Sequence, residues 1–290
     1  MNKLAIGTAQ FGFDYGVSNK VGQISSIEAS KIIALAEEKG VDTIDTAISY
    51  GESEKVLGEI GIENFNVTTK LPEIPDDSSN VKDWVEQQIE QSFSRLKTDS
   101  LYCVLLHQPE ILKKEAGQQV IEALKLLKSS GSIEKIGVSI YSPIELDYIT
   151  QILDFDIVQA PLNLIDRRLK NSGWLNLLYA QGIEVHTRSA FLQGLLMMSR
   201  QEIPPKFERW AKIWDSWHAG LTKEKATAAK VCLSYPLHLS EVKRVIVGVD
   251  SMRQFTELIH ESYKKSFEND WDFMISEDED LINPSNWNFL

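Results

Sequence analysis

The 290-residue sequence predicts an α/β protein folded as a closed (β/α)8 TIM barrel, and three observations carry that expectation. Short apolar runs alternate with longer amphipathic ones from end to end, the pattern of strands and helices in succession. Eight such strand–helix units fit into about 265 residues, the size of one barrel. The GxGxxG turn that usually opens a doubly wound sheet is not found after the first strand, where the chain reads Gly7-Thr8-Ala9-Gln10-Phe11-Gly12. A doubly wound sheet is the structural alternative. Length alone, at about 150 residues per domain, would suggest two domains, but barrels of this size form one.

The elements follow in order. Leu4–Ala9 reads as the first strand, and the helix Ile27–Lys39 has a stripe of Ile32, Ile33, Leu35 and Ala36, caps at Ser25 and Ser26, and a stop at Gly40. Thr43–Thr46 is a strand, Glu54–Ile60 a short helix and Asn66–Lys70 a strand. The helix Val81–Leu96 places Val81, Trp84, Val85, Ile89 and Phe93 on one side. Leu101–Leu106 is almost entirely apolar, as expected of a parallel strand covered on both faces. The second half continues with helix Gln119–Ser129, strand Lys135–Ile140, helix Pro143–Leu153, strand Ile157–Pro161, helix Trp174–Gln181 and strand Glu184–Thr187. A helix near Lys223–Ser234, a strand Arg244–Val249 and a helix Met252–Lys264 complete the eight units.

Two stretches break the rhythm. The longest connection, Leu192–Leu221, carries Phe207, Trp210, Trp214 and Trp217 at helical spacing. Such a stretch reads as a packed surface helix, or as a lid over the site built by the loops beyond the strands. The boundary is placed after residue 265, so that 1–265 form the barrel and 266–290 an acidic tail. That tail has seven carboxylates between Glu268 and Asp280, with Trp271, Phe273, Trp287 and Phe289 interspersed, which argues against a purely disordered segment.

Composition narrows the function. Thirty basic against 42 acidic residues give a net charge of −12, a poor match for nucleic acid or an anionic membrane surface. No segment approaches the roughly 18 apolar residues of a membrane span. The opening MNKLAIGTAQFGFD is interrupted by Gly7, Thr8 and Gln10 and does not read as a signal peptide. Cys103 and Cys232 are too few and too far apart for a disulfide scaffold or a cysteine zinc site. The expectation is a cytoplasmic protein acting on a small molecule, without a metal.

In a barrel, chemistry gathers at the C-terminal ends of the strands. There the sequence places Asp45 at the end of the second strand, Tyr50 in the following loop, Lys70 at the end of the third and His107 at the end of the fourth. Each alone has a structural explanation, but together they form a chemical unit. A free phenol titrates at about 10. A neighbouring ammonium lowers that value, a carboxylate holds the ammonium, and an imidazole N–H orients a carbonyl.

The motif IDTAISYGESEKVLG (Ile44–Gly58), followed by TTK (Thr68–Lys70), LLHQP (Leu105–Pro109), GVSIY (Gly137–Tyr141) and VQAPLNLIDRR (Val158–Arg168), resembles the aldo-keto reductase superfamily over nearly all of residues 4–260. The resemblance implies a barrel that binds an extended NADP(H) and reduces an aldehyde or ketone. Tyr50 would be the proton donor, Lys70 and Asp45 its tuning pair, and His107 the group that orients the carbonyl. It also implies cofactor contacts at Ser139, Gln159, Arg188, Ser189, Gly248, Ser251 and Gln254.

Three positions depart from the family pattern. Ile140 stands where an Asn is usual, Arg188 where many members have an aromatic that stacks on the nicotinamide, and Asp250 where Lys or Arg is frequent. Family habit favours NADP(H), with Arg253, Lys243 or Arg244 available to a 2′-phosphate. Asp250 makes NAD(H) the rival. Arg188 points to an anionic substrate, HTRSAFLQGLL (His186–Leu196) to a sugar-like one, and Gln10, Phe11 and Asp14 lie on the same rim. Two other readings stand beside reduction: a cofactor-binding regulatory subunit with little turnover, and a lyase or isomerase using Lys70 as a Schiff-base nucleophile.

Overall fold

The computed structural model describes residues 2–75, 80–264 and 271–290. Eight parallel strands close on themselves in sequence order, β1 pairing with both β2 and β8. They are β1 (Leu4–Gly7), β2 (Thr43–Asp45), β3 (Asn66–Leu71), β4 (Leu101–Leu106), β5 (Ile133–Ser139), β6 (Ile157–Pro161), β7 (Glu184–Arg188) and β8 (Val242–Gly248). Between and after them lie α1 (Ala9–Gly12), α2 (Ser26–Glu38), α3 (Ser53–Ile60), α4 (Val81–Leu96), α5 (Ala116–Ser129), α6 (Leu146–Ile152), α7 (Arg168–Asn171), α8 (Trp174–Ala180), α9 (Ala211–Glu224), α10 (Ala228–His238), α11 (Met252–Ser262) and α12 (Glu279–Ile282). This is the expected (β/α)8 barrel.

Local signals explain most boundaries. Ser25 caps α2 by accepting from the Glu28 amide, and Asn80 caps α4 by accepting from that of Asp83. Buried Val81, Val85, Ile89, Ser92 and Leu96 form the inner face of α4, with Trp84 and Phe93 half-buried on its flanks. Two expected helices are corrected. The stretch Pro143–Leu153 divides into a 3-10 turn, Pro143–Glu145, and α6. The helix expected over Lys223–Ser234 is two: α9 ends where Lys225 enters the left-handed region at φ 49°, and α10 begins after the Thr227 cap. Apolar periodicity continues across that break, so only the backbone turn reveals it.

Strand register fixes the rim. Gly7 aligns with Asp45 on one side and Gly248 on the other, Thr68 with Asp45, Ser139 with Gln159, and Pro161 with Arg188. One core fills the barrel and its helix jacket. A second gathers Phe207, Trp210, Trp214 and Trp217 of the long connection with Trp271, Met274, Leu281, Ile282 and Trp287 of the tail. Trp214 and Trp217 donate their indole N–H groups to the carbonyls of Phe207 and Leu196, which lets both be buried without stranding a donor. Tail carboxylates meet arginines: Asp272 pairs with Arg167, Glu279 with Arg168, and Asp278 and Asp280 with Arg209. The tail therefore packs against the connection, while its junction near residue 265, with Glu268 and Asp270, lies outside the described residues.

Candidate active site

Lys70 organises the centre. Its side chain is 1% exposed, and Nζ donates to Asp45 Oδ2 at 2.8 Å and to the Thr46 carbonyl at 2.8 Å. The third direction leads to the Tyr50 hydroxyl, 3.5 Å away. Asp45 uses its other oxygen to accept from Gln159 Nε2 at 2.6 Å, and Ser139 donates to Gln159 Oε1 at 3.4 Å. A buried ammonium is thereby matched by a buried carboxylate whose second oxygen is also satisfied, the condition for burying such a pair at all.

Tyr50 reaches this centre through a tight backbone approach. A Cβ on Gly12 would lie 1.7 Å from the Tyr50 carbonyl oxygen, and Gly51 takes φ 52° directly after the tyrosine. The Tyr50 ring meets Phe13 at 5.8 Å and His107 at 5.9 Å between centroids, both edge-on.

Burial and the nearby Asp45 carboxylate raise the Tyr50 phenol above its ordinary value, with Arg188 opposing them. This reverses the direction expected from the ammonium: at 3.5 Å Lys70 does not offset the loss of solvent. The resting phenol is firmly protonated and available as a donor. Burial, with the charges of Lys70 and Arg188, pushes the His107 imidazole down to about 3, so it is neutral near pH 7. Burial also draws Lys70 downward while Asp45 works against it.

Above this group opens a cleft with about 960 Å³ of unfilled space. Its wall runs from Asp45, Tyr50 and Gln159, past Arg188 and Ser189, to Gly248, Asp250 and Gln254. Of the residues expected at the site, Lys70 and Ser139 are buried beneath the cleft, and His107 borders a small hollow beside it. Ser251 caps α11 by accepting from the Gln254 amide rather than facing the cleft. Gln10 lines the cleft, but Phe11 is fully buried in the core and Asp14 is exposed outside the lining.

Arg188 crosses the mouth instead of finding an acid. Its guanidinium stacks on the Tyr141 ring at 4.4 Å and donates to the Ile140 carbonyl at 3.0 Å, with no carboxylate partner among the described residues. Ile140 itself is buried and offers only that backbone oxygen. Tyr141 is the functional neighbour that sequence reading missed, because its partner lies 47 positions away in a different loop. Tyr15 and Gln193, which line the cleft, carry no local motif that would have marked them.

Residues 3–270 match the sequence model of the Aldo/keto reductase family. The chain belongs to the aldo/keto reductase family. Among its relatives, the Bacillus subtilis aldo-keto reductase YhdN is 26% identical over 187 residues, 59% of this chain and 53% of the relative. D-arabinose 1-dehydrogenase of Saccharomyces cerevisiae is 30% identical over 52% of this chain and 49% of its own length. The chain thus spans about half the length of these curated relatives. L-galactose dehydrogenase of Arabidopsis thaliana is 26% identical over 81% of this chain and 78% of its own. The holo form of aldo-keto reductase AKR11C1 from Bacillus halodurans superposes with a TM-score of 0.75 at 19% identity, covering 95% of this chain and 94% of that one, and shares the fold. Among the described residues no group of three or more His, Cys, Asp or Glu could hold a metal ion, and no helix is long and apolar enough to cross a membrane.

Proposed function

We propose that this aldo/keto reductase reduces the aldehyde or ketone group of a small sugar-like substrate, with Tyr50 as proton donor. The observation that carries the reading is Lys70, held by Asp45 and Thr46 and placed 3.5 Å from the Tyr50 hydroxyl at the floor of the cleft. The cleft suits a dinucleotide: neutral polar side chains of Gln10, Gln159, Ser189, Gln193 and Gln254 line it, and a carboxylate oxygen of Asp250 is buried there without a partner.

A bound nicotinamide would supply the hydride to the carbonyl carbon. Tyr50 gives its proton to the carbonyl oxygen, and Lys70 stabilises the phenolate that remains. His107, as a neutral imidazole, donates a hydrogen bond that fixes the carbonyl without adding charge. Gln159 and Ser139 hold the outer side of the Asp45 carboxylate, which keeps the ammonium in place. Lys70 neither lines the cleft nor faces outward, an arrangement that disfavours a Schiff-base role.

A sugar-like substrate is supported by the activities in the names of the yeast and plant relatives and of 6-dehydroglucose reductase from Novosphingobium aromaticivorans, which is 31% identical over 39% of this chain and 41% of its own length. Arg188 adds a cation at the mouth with no ion-pair partner among the described residues, which favours a substrate bearing a carboxylate or phosphate. The test is absorbance-monitored turnover over a panel of neutral and anionic aldehydes, ketones and sugars. Tyr50→Phe should lower kcat by about 10²-fold or more while cofactor affinity stays within a few-fold. A fully active variant refutes the donor. Arg188→Leu should weaken kcat/KM selectively for anionic substrates; equal losses on neutral ones remove the anionic preference.

A further inference from the structure

Where β8 gives way to α11, the cleft is lined by Gly248, Asp250, Gln254 and Leu258. With the nicotinamide at Tyr50, the adenosine half of an extended dinucleotide would lie against this stretch of the wall. Three carboxylates belong to that neighbourhood. Asp250 contributes to the wall, and its Oδ1 is buried without a hydrogen-bond partner while its own amide is bound by Gln254 Oε1 at 2.7 Å. Glu28 Oε1 accepts from the Met252 amide at 2.8 Å, so the electropositive start of α11 already holds an acid. Asp14 is near enough to push the Asp250 carboxyl upward, adding to the effect of burial.

Lys31 pairs with Glu28 Oε2 at 3.2 Å, but among the described residues no basic side chain is paired with Asp250 or Asp14. Among the residues lining the cleft, Arg188 alone is basic, and it sits at the Tyr50 end on Tyr141. The three candidates for a phosphate contact are directed elsewhere. Arg253 is 90% exposed and paired with Glu257. Arg244 reaches to Asp42 and Thr43 at the N-terminal ends of the strands, and Lys243, exposed, stands beside it at the start of β8.

Resting on the nicotinamide reading above, we infer that this cleft selects the dinucleotide with a free ribose 2′-hydroxyl, NAD(H), over its 2′-phosphorylated form, and that Asp250 is the selecting residue. The hydroxyl is a donor and gives Asp250 Oδ1 the partner it lacks. A phosphate offers only acceptors and negative charge to a wall that carries the unpartnered Asp250 oxygen, with Asp14 and Glu28 close by and the Lys31 ammonium already engaged by Glu28, so NADP(H) meets repulsion there. The inference runs against the expectation of NADP(H) from family habit.

Equilibrium titration of the purified protein with NADH and NADPH, followed by nicotinamide fluorescence and checked by calorimetry, tests the inference without turnover. NADH should bind at least tenfold more tightly. Asp250→Asn should narrow that ratio at least fivefold, chiefly by strengthening NADPH, with the melting temperature unchanged; Glu28→Gln should narrow it less. Equal or tighter binding of NADPH by the unmodified protein overturns the inference while leaving the nicotinamide reading intact, and needs no variant to fold. A ratio unmoved in a folded Asp250→Asn protein removes Asp250 as the selector. Failure of both dinucleotides to bind refutes the nicotinamide reading, and this inference with it.

Discussion

Replacing Lys70 by Met separates the structural role of the buried ion pair from its chemical one. Methionine keeps most of the aliphatic stem and removes the charge. In its absence Asp45 retains the Gln159 bond at 2.6 Å on Oδ1, but Oδ2 and the Thr46 carbonyl each lose a donor at 2.8 Å. An uncompensated buried carboxylate of this kind costs about 3–5 kcal/mol. At about 2 °C per kcal/mol for a chain of this size, the melting temperature should fall by about 6–10 °C. Adding Asp45→Asn removes the stranded charge while its Oδ1 still accepts from Gln159, so the double variant should recover half or more of the loss. Thermal unfolding by circular dichroism gives the stability and cofactor absorbance the turnover. Both variants should be nearly inactive, because neither has an ammonium beside Tyr50. A single variant within about 1 kcal/mol of the unmodified protein refutes the stability reasoning. A restored melting temperature together with restored activity refutes the role assigned to Lys70.

His107 should contribute no inflection to the pH profile of kcat/KM between pH 5 and 8, since its imidazole is held down to about 3; a break near 6.5 that disappears in His107→Asn contradicts this. The unfolded chain takes up that proton near 6.5 while the folded one resists it, so this residue's contribution to stability is present above 6.5 and is lost as pH falls toward 3, measurable by urea titration. Gly12→Ala would place a methyl 1.7 Å from the Tyr50 carbonyl oxygen and force the two backbone segments apart. Turnover should drop at least tenfold with a stability loss of about 1–3 kcal/mol, and an active variant of normal melting temperature would show that Tyr50 does not depend on that approach.

The barrel was legible because a parallel strand covered on both faces leaves an unbroken apolar run, as Leu101–Leu106 does, and because each amphipathic helix repeats its stripe over several turns. Asp45, Tyr50, Lys70 and His107 were legible as positions because strand ends map to one rim. Their electrostatics were less so. The direction of the Tyr50 shift depends on how much water the folded cleft excludes, which no spacing encodes. Arg188 was visible as a charge, but its stacking on Tyr141 joins the loop after β5 to the end of β7 and exists only once the strands are registered. The division at Lys225 escaped the pattern because a non-glycine left-handed residue leaves hydrophobic periodicity almost undisturbed. That Arg244 pairs with Asp42 and Arg253 with Glu257, rather than with Asp250, likewise depends on where these side chains point, not on where they stand in the chain.

The two larger hydrophobic cores meet along α10, which gives Ala229 and Leu233 to one and Val231 and Cys232 to the other. Phe191 and Tyr235 are the partly buried residues that touch both, and Phe191 also lines the cleft. Distinct cores can open at different free energies even where one helix serves both. The tryptophan-rich unit should exchange its amide hydrogens by sub-global opening, at a lower free energy than the barrel strands. Any ligand that presses on Phe191 would report directly on that opening. Occupancy of the cleft should therefore slow exchange in α9 and in residues 271–290, well away from the atoms that react.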